Sequence, residues 1–303
     1  MQTENNTMKN IFYYLTLIFG ILMLSSCVPN QDENGDFLHG AEFDPTTTTD
    51  PGTGSGVTKY LSKMTAVDSD GEKVVFTYGY TSGKLTSVNT DDNSISYTLI
   101  YSGDLINKMT IIEDDGSTKS TTNLNVNYSG GKFSSAEGTT TEDSGNSYSE
   151  KLTSTYTGGK LTKLVTKAIG FDISDPTITY DLWSLQSDIT YSGNNISSWK
   201  LSTAFPPTPP ITIPPIVITT NLSNYDSSKN PFATLPETFN IISAHYGTEY
   251  QAVTGLSANN YKNIAVASDF GSDSTVYTYT YDADKYPTKA VSSLNTLTFE
   301  YKK

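Results

Sequence analysis

Acid–base and nucleophilic chemistry have few residues to draw on in this sequence. The single cysteine is Cys27, the two histidines are His39 and His245, and there is no arginine. A serine or cysteine hydrolase needs a nucleophile, a base and a group that orients the base. His39 lies in a polar linker, so His245 would be the only candidate base. One histidine also leaves a zinc site with carboxylates alone, and His245, beside Tyr246-Gly247, reads as a helix-end or packing residue. A glycan hydrolase would need two carboxylates about 5 to 10 Å apart across a cleft, whereas the acids here concentrate in turns. Asp68-Ser-Asp70-Gly71-Glu72 is the best oxygen cluster for calcium, but it lacks the EF-hand spacing, and turn formation explains its Asp-Gly. No catalytic residue, metal or cofactor is expected. The enzymatic alternative is a carboxylate-dependent glycan hydrolase.

Aromatic side chains are the remaining candidates for ligand contact, because sugars and other flat faces stack on them. Trp183 and Trp199 are the two tryptophans. Trp199 stands eight residues after Tyr191, where comparable segments have Val88, Met109, Ala136 and Leu164, so it reads first as core. Trp183 lies where alternation slips between Leu182 and Leu185. A bulge there would re-aim its side chain.

The formal net charge of −13, with lysine as the only basic residue besides histidine, argues against a nucleic-acid partner. Phosphate recognition concentrates positive charge and favours the bidentate guanidinium fork. At the start, Lys9, the apolar stretch Ile11 to Leu24 and the small residues Ser25-Ser26 before Cys27 have the form of a signal peptide over 1–26. Leu24-Ser-Ser-Cys27 resembles the lipobox of bacterial lipoproteins, which implies acylation of Cys27 and a membrane partner through that lipid. Residues 27–56 then read as a lipidated cysteine and flexible tether, and Gln31-Asp32-Glu33 resembles a short acidic surface-export signal. The expected location is the outer membrane, facing the periplasm or the cell surface.

The positions of all these residues depend on a repeat. Tyr156-Thr-Gly-Gly-Lys-Leu161 recurs as Tyr80-Thr-Ser-Gly-Lys-Leu85, Tyr101-Ser-Gly-Asp-Leu-Ile106, Tyr128-Ser-Gly-Gly-Lys-Phe133 and Tyr191-Ser-Gly-Asn-Asn-Ile196. Each reads as a hairpin turn with an apolar residue five places after the tyrosine. Aspartate-rich turns alternate with them. Between turns the period is two: Leu124, Val126 and Tyr128 oppose Asn123, Asn125 and Asn127. The spacing predicts an all-β, up-and-down antiparallel meander of roughly 14 to 18 strands over 57–303, curled into a barrel, half-barrel or flattened sandwich. One face is apolar and the other is Thr, Ser, Asn and Lys. The apolar face must point inward, and a round barrel of that size needs filling.

The repeat lapses over 204–271. The prolines from Pro206 to Pro215 exclude a central strand. Phe239 and Ile242, behind Pro236, predict one short helix. This irregular insert is the candidate filler.

Three motifs, Tyr225-Asp-Ser-Ser-Lys-Asn-Pro-Phe232, Leu256-Ser-Ala-Asn-Asn-Tyr261 and Tyr281-Asp-Ala-Asp-Lys-Tyr-Pro-Thr-Lys289, resemble those of Bacteroidota lipoproteins of unknown function with tyrosine-aspartate-type repeats. The resemblance covers about Lys59 to Lys303. It implies a porin-like β fold and carries over no catalytic residue. The expected role is a non-catalytic, lipid-anchored envelope protein that binds or scaffolds another macromolecule, with a glycan or an envelope protein as the possible partner. The alternative is a glycan-binding accessory lipoprotein of a nutrient-uptake system.

Overall fold

In a computed structural model of the protein, the described residues are 59–171, 177–207, 213–246 and 254–303. They form an all-β antiparallel meander with 17 strands and a single α-helix. The first strands are β1 (Tyr60–Asp68), β2 (Lys73–Thr81), β3 (Lys84–Thr90), β4 (Ile95–Ser102), β5 (Leu105–Asp114) and β6 (Lys119–Ser129). They continue as β7 (Lys132–Glu142), β8 (Ser147–Thr157), β9 (Lys160–Phe171), β10 (Thr179–Ser192), β11 (Asn195–Ala204) and β12 (Ile216–Ser223). The last are β13 (Asn263–Ser268), β14 (Gly271–Val276), β15 (Thr278–Tyr281), β16 (Pro287–Val291) and β17 (Asn295–Lys302). Each pairs antiparallel with its chain neighbour, except that β14 and β15 are two halves of one stave, the first on β13 and the second on β16. The pairing of β1 with β17, from Tyr60↔Lys302 to Asp68↔Asn295, brings the sheet round into a barrel.

The repeat explains how the hairpins are built. Within Tyr80-Thr-Ser-Gly-Lys-Leu85, Ser82 and Gly83 take φ of 51° and 77°, the left-handed pair that a two-residue turn between twisted strands requires. Tyr80 then pairs across the hairpin with Leu85, and a bulge follows at once. The same pairing recurs as Tyr101↔Ile106, Tyr128↔Phe133, Tyr156↔Leu161 and Tyr191↔Ile196. The apolar residue five places on is therefore the tyrosine's cross-strand partner.

Neighbouring hairpins are also stapled together. The Tyr101 hydroxyl donates to the Leu85 carbonyl at 2.9 Å, and Tyr128 donates to Ile106 at 3.0 Å. In the opposite direction, Lys84 Nζ bonds the Gly103 carbonyl and lies 5.4 Å from the centre of the Tyr101 ring. Lys132 and Lys160 bond Gly159 and Gly193 in the same way, over Tyr156 and Tyr191. Lysine reaches forward and tyrosine reaches back. One rim of the barrel, the tyrosine end, is thereby a belt of side-chain staples. Lys59 is held there by Asp282 at 2.7 Å and Asp284 at 2.6 Å, so the chain enters the barrel at this end. The opposite rim carries the aspartate-rich turns.

Alternation places apolar residues inside and polar residues outside. On β6, Leu124 and Val126 are buried while Asn123, Asn125 and Asn127 are exposed. The outer wall is laced by polar pairs such as Thr110–Asn123 at 2.9 Å and Lys151–Glu137 at 3.1 Å. A lipid-facing barrel needs the reverse arrangement, an outward apolar band about 25 Å tall.

The filler is an enlarged turn of the same repeat. Tyr225 donates to the Ile196 carbonyl at 2.6 Å, as a repeat tyrosine does, and Tyr279 donates to Tyr261 at 2.9 Å. Tyr225 and Tyr261 thus hold the two hairpin positions, and the chain between them enters the barrel from the tyrosine end. It carries helix α1 (Glu237–Tyr246). Phe239, Ile241 and Ile242 are fully buried, as are Asn240 and Ser243 on other faces, because a helix inside a barrel meets side chains all round. Thr238 near its start accepts from Tyr128 at 3.2 Å, and Phe239 meets Tyr97 edge-on at 5.3 Å. Asn240 Nδ2 fixes the plug by bonding the Phe232 and Gly255 carbonyls at 3.0 and 3.1 Å.

Candidate functional site

The plug fills the barrel unevenly. On β1 to β8, inward residues such as Met64, Val88, Met109 and Leu152 are sealed, at no more than 1% exposure. On β10 to β13, Ser187, Ile189, Ile196 and Leu222 are buried as well, but Trp183, Leu185, Leu201, Ile216 and Val266 are only half-buried. Register places Trp183 opposite Ala168, Leu185 opposite Thr166, and Leu201 opposite Ile218, all on the inner face. The five half-buried residues lie outside the contiguous core, so this part of the inner face is less completely packed than that of β1 to β8.

Above that wall, at the aspartate end, the rim is apolar as well. Ile178 is 54% exposed, Tyr180 52%, Ile213 45% and Phe270 62%. They come from the starts or turns of neighbouring staves: the approach to β10, the loop before β12, and the β13–β14 turn. Gly170, opposite Tyr180, seats its ring: a Cβ there would lie 2.6 Å from Tyr180 Cε2. These residues share the aspartate-end mouth of the barrel, opposite the chain's entry point.

Both tryptophans belong to this wall. The bulge expected beside Trp183 is present, with the β9–β10 register slipping between Asp181 and Trp183. Trp183 keeps the inward phase of Leu185 and Ser187, and the bulge instead brings Tyr180, opposite Gly170, to the inner face. Trp199 packs against the core, as its repeat position predicts, yet is only partly buried. Its indole Nε1 meets no hydrogen-bond partner among the described residues. Cys27 and His39 lie outside the described residues, as does the His245 side chain. Asp68 behaves as turn chemistry dictates: its Oδ1 accepts from the backbone N–H of Asp70 and Glu72, each at 2.9 Å. No group of metal-binding side chains is found among the described residues.

Two carboxyls occupy the inner face on the β5–β8 side of the tryptophans, and Glu150 shares a row with Ala168 and Trp183. Glu150 on β8 is 4% exposed, between Gly138 on β7 and Ala168 on β9, whose small side chains leave it room. Burial raises its pKa to about 7, partly offset by hydrogen bonding with Tyr246 and Thr140. Glu113 on β5 is raised to about 8, first by burial and then by the charges of Glu150 and Asp115. Tyr246 is in the last turn of α1, and burial together with Glu150 pushes its hydroxyl far up. The end of the plug helix therefore rests against acids whose ionisation burial disfavours. A helix C-terminus carries partial negative charge, which disfavours ionisation there further.

No protein-family model matches the sequence, and no curated protein matches it. Among solved structures, the chain is similar to a porin-like protein from Bacteroides vulgatus ATCC 8482. The identity is 13% and the TM-score 0.51, covering 81% of this chain and 99% of that one. The two share a porin-like β fold. The polar outer wall and buried plug described above are properties of this chain's own residues.

Glu113 and Glu150 were not among the residues singled out from sequence. A signal for them exists: each stands in the apolar phase of its strand, Glu113 two places after Ile111 and Glu150 two before Leu152. Thr166 and Ser187 carry the same signal on β9 and β10. They are buried, and their hydroxyls meet no partner among the described residues.

Proposed function

We propose that the protein is a non-catalytic, lipid-anchored barrel of the bacterial outer membrane that binds a ligand or envelope partner at its aspartate-end mouth. The observation that carries this reading is the inversion of polarity. A polar outer wall around an apolar, helix-plugged lumen suits a barrel standing in water, and an anchor on Cys27 would then supply the membrane attachment. Entry of the chain at the tyrosine end supports an orientation with that end toward the membrane and the mouth away from it. The exposed apolar rim is the kind of surface that marks an interaction site. The inward-facing Trp183 favours a second reading, a glycan-binding accessory lipoprotein.

The test has two arms. Labelled palmitate should enter the wild-type protein and not Cys27→Ser, which should leave the outer-membrane fraction. A photo-crosslinking residue replacing Tyr180 or Phe270 at the rim should give adducts in cells, and one replacing Asn125 on the outer wall should not. Palmitate-free wild-type protein would remove the anchor, and equal adduct yields at rim and wall would remove the mouth as the binding surface.

A further inference from the structure

The two ends of the barrel differ in charge. At the tyrosine end, Lys132, Lys160, Lys229, Lys285 and Lys302 have no acidic partner among the described residues. They come from the β6–β7 and β8–β9 turns, the plug, the β15–β16 turn and the end of β17, and so are spread round the rim. The acids of this end are largely occupied. Asp104 pairs with Lys84 at 2.8 Å, Asp282 and Asp284 hold Lys59, and Asp226 accepts from Tyr281 and Asn260. Glu237, exposed at the start of α1, is left without a lysine partner among the described residues. At the opposite end Asp70, Asp92, Asp115, Asp143 and Asp269 are exposed, each from a different turn, with Lys73 and Lys119 beside them.

The lysines are presented together with aromatic rings. Nζ of Lys132, Lys160, Lys302 and Lys229 lies 4.8, 5.2, 4.1 and 4.5 Å from the ring centres of Tyr156, Tyr191, Tyr80 and Tyr286. Lys132 and Lys160 each give an N–H to a turn carbonyl, and an ammonium has three donors, so others remain for phosphate oxygens. Tyr80, Tyr156 and Tyr191 are half-buried, and tyrosine is the kind of amphipathic ring that sits at headgroup level. The aspartates are too far away to oppose this. Strand β8 has 11 residues, and strands of that length, tilted by about 40°, separate the two rims by about 25 to 30 Å. Physiological salt screens exposed charges beyond about 8 Å. An anionic surface at the tyrosine end therefore meets the lysines alone, although the net charge of the whole chain is −13.

We propose that the tyrosine rim lies against an anionic lipid surface, with Lys132, Lys160, Lys229, Lys285 and Lys302 on its headgroup phosphates. This rests on the lipid-anchored reading above and adds the face of the barrel that meets the bilayer. The anchor holds the protein near the membrane, and the lysine rim fixes which end turns toward it. Each lysine at such a surface favours the docked arrangement about fivefold.

The protein purified with its acyl chains should be reconstituted on vesicles of phosphatidylethanolamine with phosphatidylglycerol, and on vesicles of phosphatidylcholine alone. Cys27 is the only cysteine, so Ser102→Cys at the tyrosine end and Ser144→Cys at the aspartate end can each carry a fluorophore. Headgroup-nitroxide lipid then quenches whichever end touches the surface. The expected result is flotation with both vesicles, with quenching at position 102 only on the anionic ones and relieved by high salt, and none at position 144. Lys132→Gln, Lys160→Gln and Lys285→Gln together should lower the docked-to-undocked ratio about a hundredfold while flotation persists. Lys285→Gln alone, whose side chain has no bond to lose among the described residues, should lower it about fivefold. Flotation with equal quenching at the two ends, or quenching that lysine removal and salt leave intact, would overturn the rim contact and keep the anchor. Flotation with anionic vesicles only would overturn the anchor and keep the rim. Flotation with neither would overturn both.

Discussion

Replacing Glu150 with glutamine should make the barrel more stable at pH 8 and leave it nearly unchanged at pH 5. The ordinary value for this carboxyl is 4.5 and burial lifts it to about 7. Between those values the folded protein keeps a proton that the unfolded chain has released. Stability therefore falls as pH rises through this window, since the folded state binds more protons. The 2.5-unit difference corresponds to about 3 kcal/mol at roughly 1.4 kcal/mol per unit, present below pH 4.5 and lost by about pH 8. Glutamine resembles the protonated acid in shape and never ionises, so its curve lacks this loss. Glu113 adds to the wild-type slope, because the Glu150 charge is its second cause of elevation; in the variant that cause disappears.

Other groups do not imitate this effect. Burial opposes the lowering of Asp92, Asp115 and Asp282, but hydrogen bonds from Ser94, from Ser117 and Thr118, and from Lys59 and Tyr286 outweigh it and hold each below 3.8. These aspartates stabilise as pH rises, and their contribution is complete before pH 5. The comparison is between wild type and variant at each pH, so that any other titrating group cancels. Urea unfolding at pH 5, 6, 7 and 8, followed by tryptophan fluorescence, is the assay. With a slope of about 3 kcal/mol/M for a domain this large, the pH 8 midpoint of Glu150→Gln should exceed that of wild type by about 1 M. Parallel wild-type and variant curves across this range would refute the reasoning, and a wild-type midpoint that rises with pH would reverse its sign.

The staple belt predicts a contrast between two tyrosines of the same repeat. Tyr101→Phe removes the 2.9 Å bond to the Leu85 carbonyl and should cost about 1 kcal/mol. Tyr156→Phe should cost almost nothing, because its hydroxyl has no partner among the described residues and Ser154 Oγ takes the Phe133 carbonyl at 2.7 Å instead; equal losses in urea midpoint would contradict the assignment. Gly138→Ala should disrupt the β6–β7 ladder, since its Cβ would fall 1.7 Å from the Asn123 carbonyl oxygen. Gly131→Ala meets nothing within 4 Å and bears only the strain of φ 77°, about 1 kcal/mol. Melting temperatures that rank Gly131→Ala below Gly138→Ala would show that close strand approach is not what requires glycine at 138.

How much of this was readable beforehand follows from which interactions are local. A tyrosine hairpin is encoded within six residues: the positive-φ pair, the cross-strand partner five places on and the bulge are all fixed by Tyr-x-Gly-Gly-Lys-Leu and its variants. The meander, its inward apolar face and the bulge at Trp183 were legible for that reason, and the plug was legible as a lapse of the same pattern with a helical spacing of Phe239 and Ile242. The unpaired inner hydroxyls were not legible in this way. Thr122, Thr140, Thr166 and Ser187 all stand in the apolar phase of their strands and look alike in sequence. Thr122 and Thr140 satisfy each other because β6 and β7 bring them face to face, while the register puts Leu185 opposite Thr166 and leucines on both sides of Ser187. Which polar residue is left unpaired is decided by the register between staves. The same holds for Glu150, whose tolerance inside the barrel depends on Gly138 and Ala168 flanking it from strands on either side. An acid or hydroxyl in the apolar phase of a strand is thus a sequence-level flag for a special position, and only the neighbouring staves determine whether it is paired, like Thr122 and Thr140, or left without a partner.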